Sequence, residues 1–351
     1  MLALRKTRPA FGAELVDMDF ADEALAPGEV EVAVHAAGLC GSDLHAYAWT
    51  PSYGFMTPLL PLTIGHEFAG VVRRVAADVT RIAVGDRVTC WPTMTCGTCD
   101  GCRRGRPEAC EARRIVGLHA DGGFAERVRL PAATLHKLPD GLDFDRAALC
   151  EPLAIAVNAI DHADIAPGCR VVVLGPGPIG AAAAWVAQHR GADVLLLGLD
   201  DAPRLDVARG MGVARCADLR DTDLARACAE AFGGGPDRVI EATGVAASVS
   251  DAVRVLRPEG IVVAAGIHDT PCTVDLARLV REKKQLRGVH DTTADGFAHA
   301  LDLLVQHGAV LERLITHRLP LRQGLDAFDH ARGKTAMKVM MYPNDTGETV
   351  L

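Results

Sequence analysis

The sequence predicts an α/β protein in which a doubly wound parallel sheet is combined with a second, β-rich domain. Beyond residue 170, short apolar segments alternate with helix-like segments, which is typical of a parallel sheet covered by helices on both faces. Residues 1–150 instead contain strand-like segments separated by loops. The chain has 351 residues, of which 49% are hydrophobic, and this is enough apolar material for two ordinary cores. We therefore expect two domains.

The N-terminal region contains several strand-like segments. Residues 29–35 read EVEVAVH, and this strict alternation is typical of a half-buried strand. Further β-branched or turn-bounded segments at 68–75, 87–90 and 125–130 predict three more strands.

The second region opens with a strand at residues 170–174, RVVVL, which leads into the glycine-rich turn GPGPIG and an alanine-rich helix that ends near Gly191. The same pattern then repeats along the chain. It predicts strands at 194–197, 238–241 and 261–265, and helices at 202–209 and 245–256. From about residue 291 onward, the sequence predicts one more helix at 297–307 and a last strand at 338–342. Residues 344–351 are expected to form a loose tail.

Charge and hydropathy exclude several classes of partner. The chain has 37 basic and 45 acidic residues, and its net charge of −8 repels phosphate backbones and anionic lipid. It contains no uninterrupted apolar run of about 18 residues, and its N-terminus lacks the apolar core of a signal peptide. We expect a cytoplasmic protein without nucleic-acid or membrane partners.

Four of the eleven cysteines are clustered with the spacing C-x2-C-x2-C-x7-C, at Cys96, Cys99, Cys102 and Cys110. This spacing lets one loop surround a tetrahedral zinc ion with four thiolates at about 2.3 Å, and such a closed site is structural. Five arginines in or just after the loop also fit a nucleic-acid-binding zinc ribbon. The acidic chain favours the structural interpretation.

A second, dispersed set of residues offers the ligands of a catalytic zinc. Cys40, His66 and a carboxylate from Glu67 or Glu151 provide three ligands and leave a fourth position open. Two directly bound carboxylates would make the site net negative, so we expect only one of the two to bind tightly at a time. Cys150 is an alternative ligand, but an extended segment would turn the neighbouring Glu151 the opposite way.

The turn at residues 175–180 matches G-x-G-x-x-G directly after a strand and before a helix. In this context the glycines admit a pyrophosphate to the helix N-terminus, which indicates a dinucleotide site. Asp200 stands 20 residues after Gly180, at the spacing expected for the acid that binds the ribose, and Asp201 is beside it. Both acids would repel a 2′-phosphate and favour NAD over NADP, unless they only cap the following helix.

These motifs resemble those of the zinc-dependent medium-chain dehydrogenases, in the branch that includes sorbitol, other polyol, and threonine dehydrogenases. The resemblance covers essentially the whole chain and is carried by GHEFAG at 65–70, the four-cysteine lobe, LCEPL at 149–153, the glycine turn and EATG at 241–244. It implies a GroES-like catalytic domain at residues 1–153, completed by 290–351, and a Rossmann dinucleotide-binding domain at 154–289.

The resemblance also implies roles for individual residues. Cys40, His66 and either Glu67 or Glu151 would bind the catalytic zinc, Asp43 would orient His66, and Ser42 and His45 would relay a proton. The four clustered cysteines would bind a structural zinc. The cofactor would contact Gly175, Gly177, Pro178, Ile179, Gly180, Asp200, Arg204, Thr243, Gly244, Gly266 and Ile267. Leu199 occupies the family's usual acid position, so NADP stays open beside NAD.

The implied activity is the oxidation of a secondary alcohol to a ketone by hydride transfer to NAD(P), in a homodimer or homotetramer. Glu151 resembles the polyol branch, whereas Tyr47 and Trp49 resemble threonine dehydrogenases or are ordinary packing residues. A non-catalytic zinc and dinucleotide redox sensor is a further alternative. A zinc-free quinone or enoyl reductase is disfavoured because it needs neither set of metal ligands.

Overall fold

The computed structural model describes residues 1–20 and 23–344, which form two compact units. The first unit combines Met1–Glu151 with the segment that begins at Thr293, and the second unit is Pro152–Thr292. The expected tail lies outside the described residues from position 345 onward.

The helices and strands are listed here in chain order. The first unit begins with β1 (Leu2–Lys6), β2 (Glu14–Asp17), β3 (Glu29–Gly38), α1 (Gly41–Ala48), β4 (Leu62–Thr63), β5 (Glu67–Val75), β6 (Arg87–Cys90), β7 (Thr93–Met94), α2 (Asp100–Arg103), β8 (Arg114–Ile115), β9 (Arg127–Pro131), β10 (Leu135–Lys137) and α3 (Phe144–Ala148). After α4 (Cys150–Asp161), the second unit contains β11 (Arg170–Leu174), α5 (Pro178–His189), β12 (Asp193–Gly198), α6 (Ala202–Gly210), β13 (Cys216–Asp218), α7 (Leu224–Phe232), β14 (Arg238–Glu241), α8 (Ala246–Val255), β15 (Ile261–Ala264), α9 (Leu276–Arg281) and β16 (Gln285–Gly288). The first unit resumes with α10 (Ala294–Leu311), β17 (Ile315–Pro320), α11 (Gly324–Arg332) and β18 (Lys338–Tyr342).

The main sheet of the first unit has the strand order β10-β6-β5-β3-β18-β17, and β9 also pairs with β3. In β3, Val30, Val32 and Val34 are completely buried, and Glu31 between the first two is buried as well. Strand β5 is antiparallel to β3 and places Glu67 opposite Gly38, while β18 places Met340 opposite the same glycine. The end of β3 and the starts of β5 and β18 therefore meet at one place in the sheet.

The second unit contains a parallel sheet in the order β13-β12-β11-β14-β15-β16. This order confirms the predicted doubly wound sheet. The direction of winding reverses between β11 and β14, and in such sheets ligands bind beyond the carboxyl ends of the strands at this point. Within residues 1–20 and 23–344, no helix has both the length and the apolar character needed to cross a membrane.

The condition under which Glu151 would face away from Cys150 is not met. Cys150 begins helix α4, so this segment is helical and not extended. Pro152 is compatible with the helix because a proline in the first turn replaces an N–H group that has no partner within the helix.

Candidate active site and metal centres

Cys40, His66 and Glu67 lie together where β3, β5 and β18 meet. One potential ligand atom from each residue lies within 4.8 Å of the others. Cys40 follows β3 and occupies the N-cap of α1, while Glu67 is the first residue of β5. The antiparallel pairing of β3 with β5 thus brings together residues that are 27 positions apart in the sequence.

Glu67 forms a buried ion pair with Lys338, the first residue of β18. Lys338 Nζ donates to Glu67 Oε1 and Oε2 at 2.8 and 2.6 Å, and to the Leu39 carbonyl oxygen at 2.9 Å. Gly38 makes room for this pair, because a Cβ atom there would lie 2.4 Å from Glu67 Oε2. Lys338 was missing from the predicted site, and its only sequence signal is a lysine at the start of the apolar strand KVMMY.

Asp43 and Ser42 contact opposite sides of the His66 ring. Asp43 Oδ1 is 3.7 Å from His66 Nδ1, and each of these two buried atoms lacks a hydrogen-bond partner within the described structure. Ser42 Oγ lies 3.2 Å from His66 Nε2. Burial alone would lower the pKa of His66, but the carboxylates of Asp43, Glu151 and Glu67 raise it above its usual value.

The donor set fits a zinc ion. Burial, followed by the charge of Glu67, raises the pKa of the Cys40 thiol to about 12. Burial also raises the pKa of Asp43. Burial thus disfavours the ionised forms of Cys40 and Asp43, and a bound divalent cation would stabilise them. Thiolate, imidazole and carboxylate are the ligands that zinc takes in catalytic sites.

Glu151 lies in the first turn of α4 and is buried. Its charge contributes to the raised pKa of His66. Among the described residues, however, the compact group of potential ligand atoms contains Glu67 and not Glu151. The Cys150 thiol instead donates to the Phe297 carbonyl oxygen at 3.6 Å.

His45 lies on α1, three residues after Ser42. Its ring stacks on Tyr53 with centroids 5.4 Å apart, and its Nδ1 lies 3.2 Å from Thr50 Oγ1. A hydroxyl group on Ser52 continues this series of polar contacts, 3.2 Å from Thr50 Oγ1.

The four clustered cysteines also converge. Their sulfur atoms all lie within 4.8 Å of one another, and the Cys96 and Cys110 sulfurs are 3.6 Å apart. Backbone N–H groups of Thr98 and Cys99 lower the pKa of Cys96 to about 6, which favours its thiolate form. This geometry is compatible with a tetrahedral tetrathiolate site.

In the glycine turn of the second unit, Gly175 and Gly180 are closely packed, whereas Gly177 has open space around it. Gly175 has φ = +98°, and a Cβ on Gly180 would lie 1.8 Å from the Gly175 carbonyl oxygen. A Cβ on Gly177, at the N-cap of α5, would meet no atom within 4 Å. Pro178 and Ile179 begin the helix. The turn thus leaves the backbone at Gly177 open to a ligand.

The acidic residues after β12 are held by their neighbours. Asp200 accepts a hydrogen bond from Arg220 Nη1 at 2.5 Å, and Asp201 lies 3.6 Å from Arg204 Nη1. Asp201 occupies the N-cap of α6 but forms no side-chain cap, so the capping interpretation does not explain it. Leu199 is 58% exposed.

Residues expected beside the cofactor also lie at the carboxyl ends of β14 and β15. Thr243 and Gly244 donate their backbone N–H groups to Glu241, the last residue of β14. Gly266 and Ile267 follow β15, and a Cβ on Gly266 would lie 2.3 Å from the Gly244 nitrogen. These two turns are therefore packed directly against each other.

Tyr47 and Trp49 make packing contacts. The Tyr47 ring is buried between Phe11 and Phe328, at centroid distances of 4.9 and 4.4 Å. Trp49 lies under Lys6 Nζ, 5.0 Å from its ring centroid. Both contacts agree with the packing alternative.

Comparison with known proteins places the chain among alcohol dehydrogenases. Residues 26–140 match the alcohol dehydrogenase GroES-like domain, and residues 144–341 match the glucose dehydrogenase C-terminus. An L-threonine 3-dehydrogenase of Saccharopolyspora erythraea is 32% identical, with 97% of this chain and 98% of the relative covered. A sorbitol dehydrogenase of Halalkalibacterium halodurans is 33% identical, with 90% of this chain and 92% of the relative covered.

The fold is also similar to that of a solved structure, the 2R,3R-butanediol dehydrogenase of Bacillus subtilis. The two share 27% identity and a TM-score of 0.86, and the alignment covers 98% of this chain and 99% of the other. Similarity along nearly the entire length, to family models and to complete enzymes, means that this chain belongs to the zinc-dependent medium-chain alcohol and polyol dehydrogenases, oxidoreductases that act on a CH–OH group.

Proposed function

We propose that this dehydrogenase oxidises a secondary hydroxyl group of a polyol or sugar alcohol to a ketone, with NAD as the hydride acceptor. The main support is the compact group formed by Cys40 with the buried residues His66 and Glu67, in which Lys338 pairs with Glu67. In this proposal the first unit is the catalytic domain, and the second unit binds the dinucleotide. The four clustered cysteines hold a second, structural zinc.

Each residue near the metal ligands has a role in this proposal. Cys40, His66 and Glu67 would hold a zinc ion, which would supply the Lewis acidity that lowers the pKa of the substrate hydroxyl, and the second unit would hold NAD as the hydride acceptor. Ser42 lies beside His66 and takes the proton from the alcohol. His45 then passes the proton towards solvent, with Thr50 Oγ1 holding its Nδ1 side. Asp43 orients the His66 ring from its Nδ1 side.

Of the two candidate carboxylates, Glu67 is the one that we propose as the zinc ligand. It belongs to the same compact donor group as Cys40 and His66. Zinc analysis of Glu67→Gln and Glu151→Gln tests this choice, since the two variants remove equal charge from neighbouring positions. We expect Glu67→Gln to lose the catalytic zinc and Glu151→Gln to retain it. The reverse pattern would assign the ligand to Glu151.

A polyol substrate is favoured over L-threonine. Tyr47 and Trp49, which resemble threonine dehydrogenases, are engaged in packing. The decisive experiment measures kcat/KM for sorbitol, other polyols, sugar acids and L-threonine, each with NAD and with NADP. We expect the largest value for a polyol with NAD, because Asp200 stands at the spacing of the acid that accepts a hydrogen bond from the ribose 2′-hydroxyl, which NADP lacks. A largest value for L-threonine would support the second candidate, an L-threonine 3-dehydrogenase.

The assembly and location of the protein also remain predictions. Strand β16 is the edge of its sheet, and Leu286 in it is 41% exposed. Nearby in sequence, Leu276 and Val280 on α9 are 66% and 70% exposed. Unpaired sheet edges with apolar neighbours favour association with another copy. We propose a homo-oligomer, which light scattering after size exclusion tests, and a cytoplasmic location.

A further inference from the structure

A second group of reactive side chains lies in the second unit and contains none of the predicted metal ligands. It begins with Glu241, which is fully buried at the carboxyl end of β14. Glu241 Oε1 accepts hydrogen bonds from the Thr243 N–H at 2.7 Å, the Gly244 N–H at 3.1 Å, the Ser248 hydroxyl at 2.8 Å and the Thr243 hydroxyl. This carboxylate is therefore held rigidly as an acceptor.

The other oxygen of Glu241 orients His268. Glu241 Oε2 lies 3.0 Å from His268 Nε2, so this nitrogen carries the proton and donates it to the carboxylate. The opposite nitrogen, Nδ1, is then left with a free lone pair. It faces the Cys272 sulfur at a distance of 3.6 Å. The three residues form a series of thiol, imidazole and carboxylate, the arrangement by which cysteine nucleophiles are activated.

The thiol in this series is within reach of small molecules. Cys272 is partly exposed and lies in the loop between β15 and α9, whereas Cys228 in the same unit is buried. His268 retains 16% side-chain exposure. The loop follows the carboxyl end of β15, at the edge of the sheet where ligands approach proteins of this fold.

We propose that Cys272 is a modification site that forms mixed disulfides with low-molecular-weight disulfides, with His268 as its base and Glu241 as the positioning residue. His268 Nδ1 accepts the proton of the Cys272 thiol, and the thiolate attacks one sulfur of the disulfide. The S–S bond of the reagent breaks as the new S–S bond to Cys272 forms. The departing thiolate takes the proton from His268, and excess thiol reverses the reaction.

Modification at Cys272 has a consequence for cofactor binding, and this part rests on the proposed function. Gly266 and Ile267, which are proposed to contact the dinucleotide, immediately precede His268 in the same loop. When the reagent is oxidised glutathione, the mixed disulfide attaches a tripeptide to Cys272, five residues after Ile267. This tripeptide adds bulk and negative charge to the loop. We therefore infer that the mixed disulfide weakens NADH binding.

The thiol reaction is tested on the zinc-loaded protein with oxidised glutathione and mass spectrometry of tryptic peptides. The peptide at residues 255–278 contains Cys272 as its only cysteine. Cys216 is the matched control, because it is partly exposed beside a cavity of about 630 Å³, and its sulfur lies 3.8 Å from the Val213 carbonyl oxygen. Burial raises the pKa of Cys216 to about 11. We expect Cys272 to react at least about ten-fold faster than Cys216.

The variant His268→Gln separates an activated thiol from one that is merely exposed. Glutamine keeps an N–H group for Glu241 but provides no base, so modification at Cys272 is expected to slow about ten-fold or more, at an unchanged melting temperature. If His268→Gln reacts at the wild-type rate, the proposal is wrong. Equal rates for Cys272 and Cys216 in the unmutated protein would overturn it as well, so the test does not depend on the variant folding.

The effect on the cofactor is measured separately, by fluorescence titration with NADH. Modified wild-type protein is expected to bind NADH about ten-fold more weakly, and a dithiol reagent restores binding. Cys272→Ser keeps its affinity after the same treatment. If the modified protein binds NADH normally, the proposed effect on cofactor binding is wrong, whereas the proposed reactivity of the Cys272 thiol still stands. Failure of the untreated protein to bind NADH would instead contradict the proposed function.

Discussion

Lys338 determines how much negative charge the metal site can hold. The thiolate of Cys40 and one carboxylate already balance a zinc ion, and a second carboxylate would leave an excess. Lys338 compensates for Glu67 from within the same buried region. Glu151 can therefore remain ionised near the site without making it strongly anionic.

We predict that Lys338→Met destabilises the protein, because Glu67 would be left buried without its partner. Breaking a buried pair in this way costs about 3–5 kcal/mol of unfolding free energy. Lys338→Arg is the control, since it keeps the positive charge, and chemical denaturation of both variants measures the difference. If Lys338→Met were as stable as the wild type, the ion pair between Glu67 and Lys338 would make no net contribution to the unfolding free energy.

Lys6 is a second buried lysine, and it gives a pH-dependent prediction. Its Nζ donates to the carbonyl oxygens of Gly12 at 2.8 Å, Tyr47 at 3.3 Å and Ala10. Lys6→Met leaves these acceptors without their donor, so we expect a loss of about 1–3 kcal/mol in unfolding free energy at pH 7.

Burial, and then the charge of Arg8, lowers the pKa of Lys6 to about 8. Because an unfolded lysine has a pKa of about 10.4, the unfolded chain binds more protons than the folded chain between about pH 8 and 10. Wild-type stability should therefore rise relative to Lys6→Met across this interval. Denaturation at pH 7.5 and pH 9.5 measures the difference in unfolding free energy between wild type and Lys6→Met. A difference that becomes smaller at pH 9.5 would contradict the lowered pKa of Lys6.

At the scale of elements, the glycine turn allows a test in which folding and cofactor binding separate. Gly177→Ala adds a methyl group that meets no atom of the protein, so its stability should stay within about 0.5 kcal/mol of wild type. The same methyl group obstructs the approach of a pyrophosphate, and NADH binding should weaken about ten-fold or more. Gly180→Ala should instead lower stability by about 1–3 kcal/mol, because its Cβ would collide with the Gly175 carbonyl. Calorimetry and fluorescence titration measure both effects, and normal NADH affinity in Gly177→Ala would argue against a pyrophosphate at this turn.

The elements that could be predicted were those with a strong apolar pattern. Strands β11 and β18 contain continuous apolar runs with clear ends, and their predicted bounds agree with the structure. Strand β16 has no such pattern, since it is an exposed edge strand. The sequence QLRG therefore gives no signal, because pairing with β15 rather than burial forms this strand.

In the candidate site, too, some residues are recognisable from a sequence pattern and others only from tertiary contacts. Cys40, His66 and Glu67 could be selected from the sequence because their residue types are metal ligands and their motifs are distinctive, and the structure brings them together. Lys338 was not predicted, because a lysine has no ligand chemistry and only the pairing of β18 with β3 brings it to Glu67. Our proposal of Glu67 rather than Glu151 rests on tertiary geometry, because Glu67 belongs to the compact donor group of the described residues.

At the scale of the whole molecule, we predict two zinc ions per chain with different lability. The tetrathiolate site is closed by four protein ligands, whereas the Cys40 site leaves a position for substrate. Treatment with a chelator should remove one ion and all activity, with unchanged circular dichroism. Cys99→Ala is the complementary variant, and it should lower stability and yield because the lobe loses its metal. Freshly purified, active protein with one zinc or none would refute the prediction.

The buried contact between Glu67 and Lys338 joins residues that are 271 positions apart. A ribosome adds about 5–20 residues per second, so roughly 15–55 s separate the synthesis of the carboxylate from that of its cation. Throughout this interval the nascent chain carries Cys40 and Glu67 without the charge that balances them, and the entire second unit is made in the meantime. Completion of the catalytic centre is therefore a late event in biosynthesis, and an arrested chain that ends before residue 338 would carry an unbalanced, incomplete site.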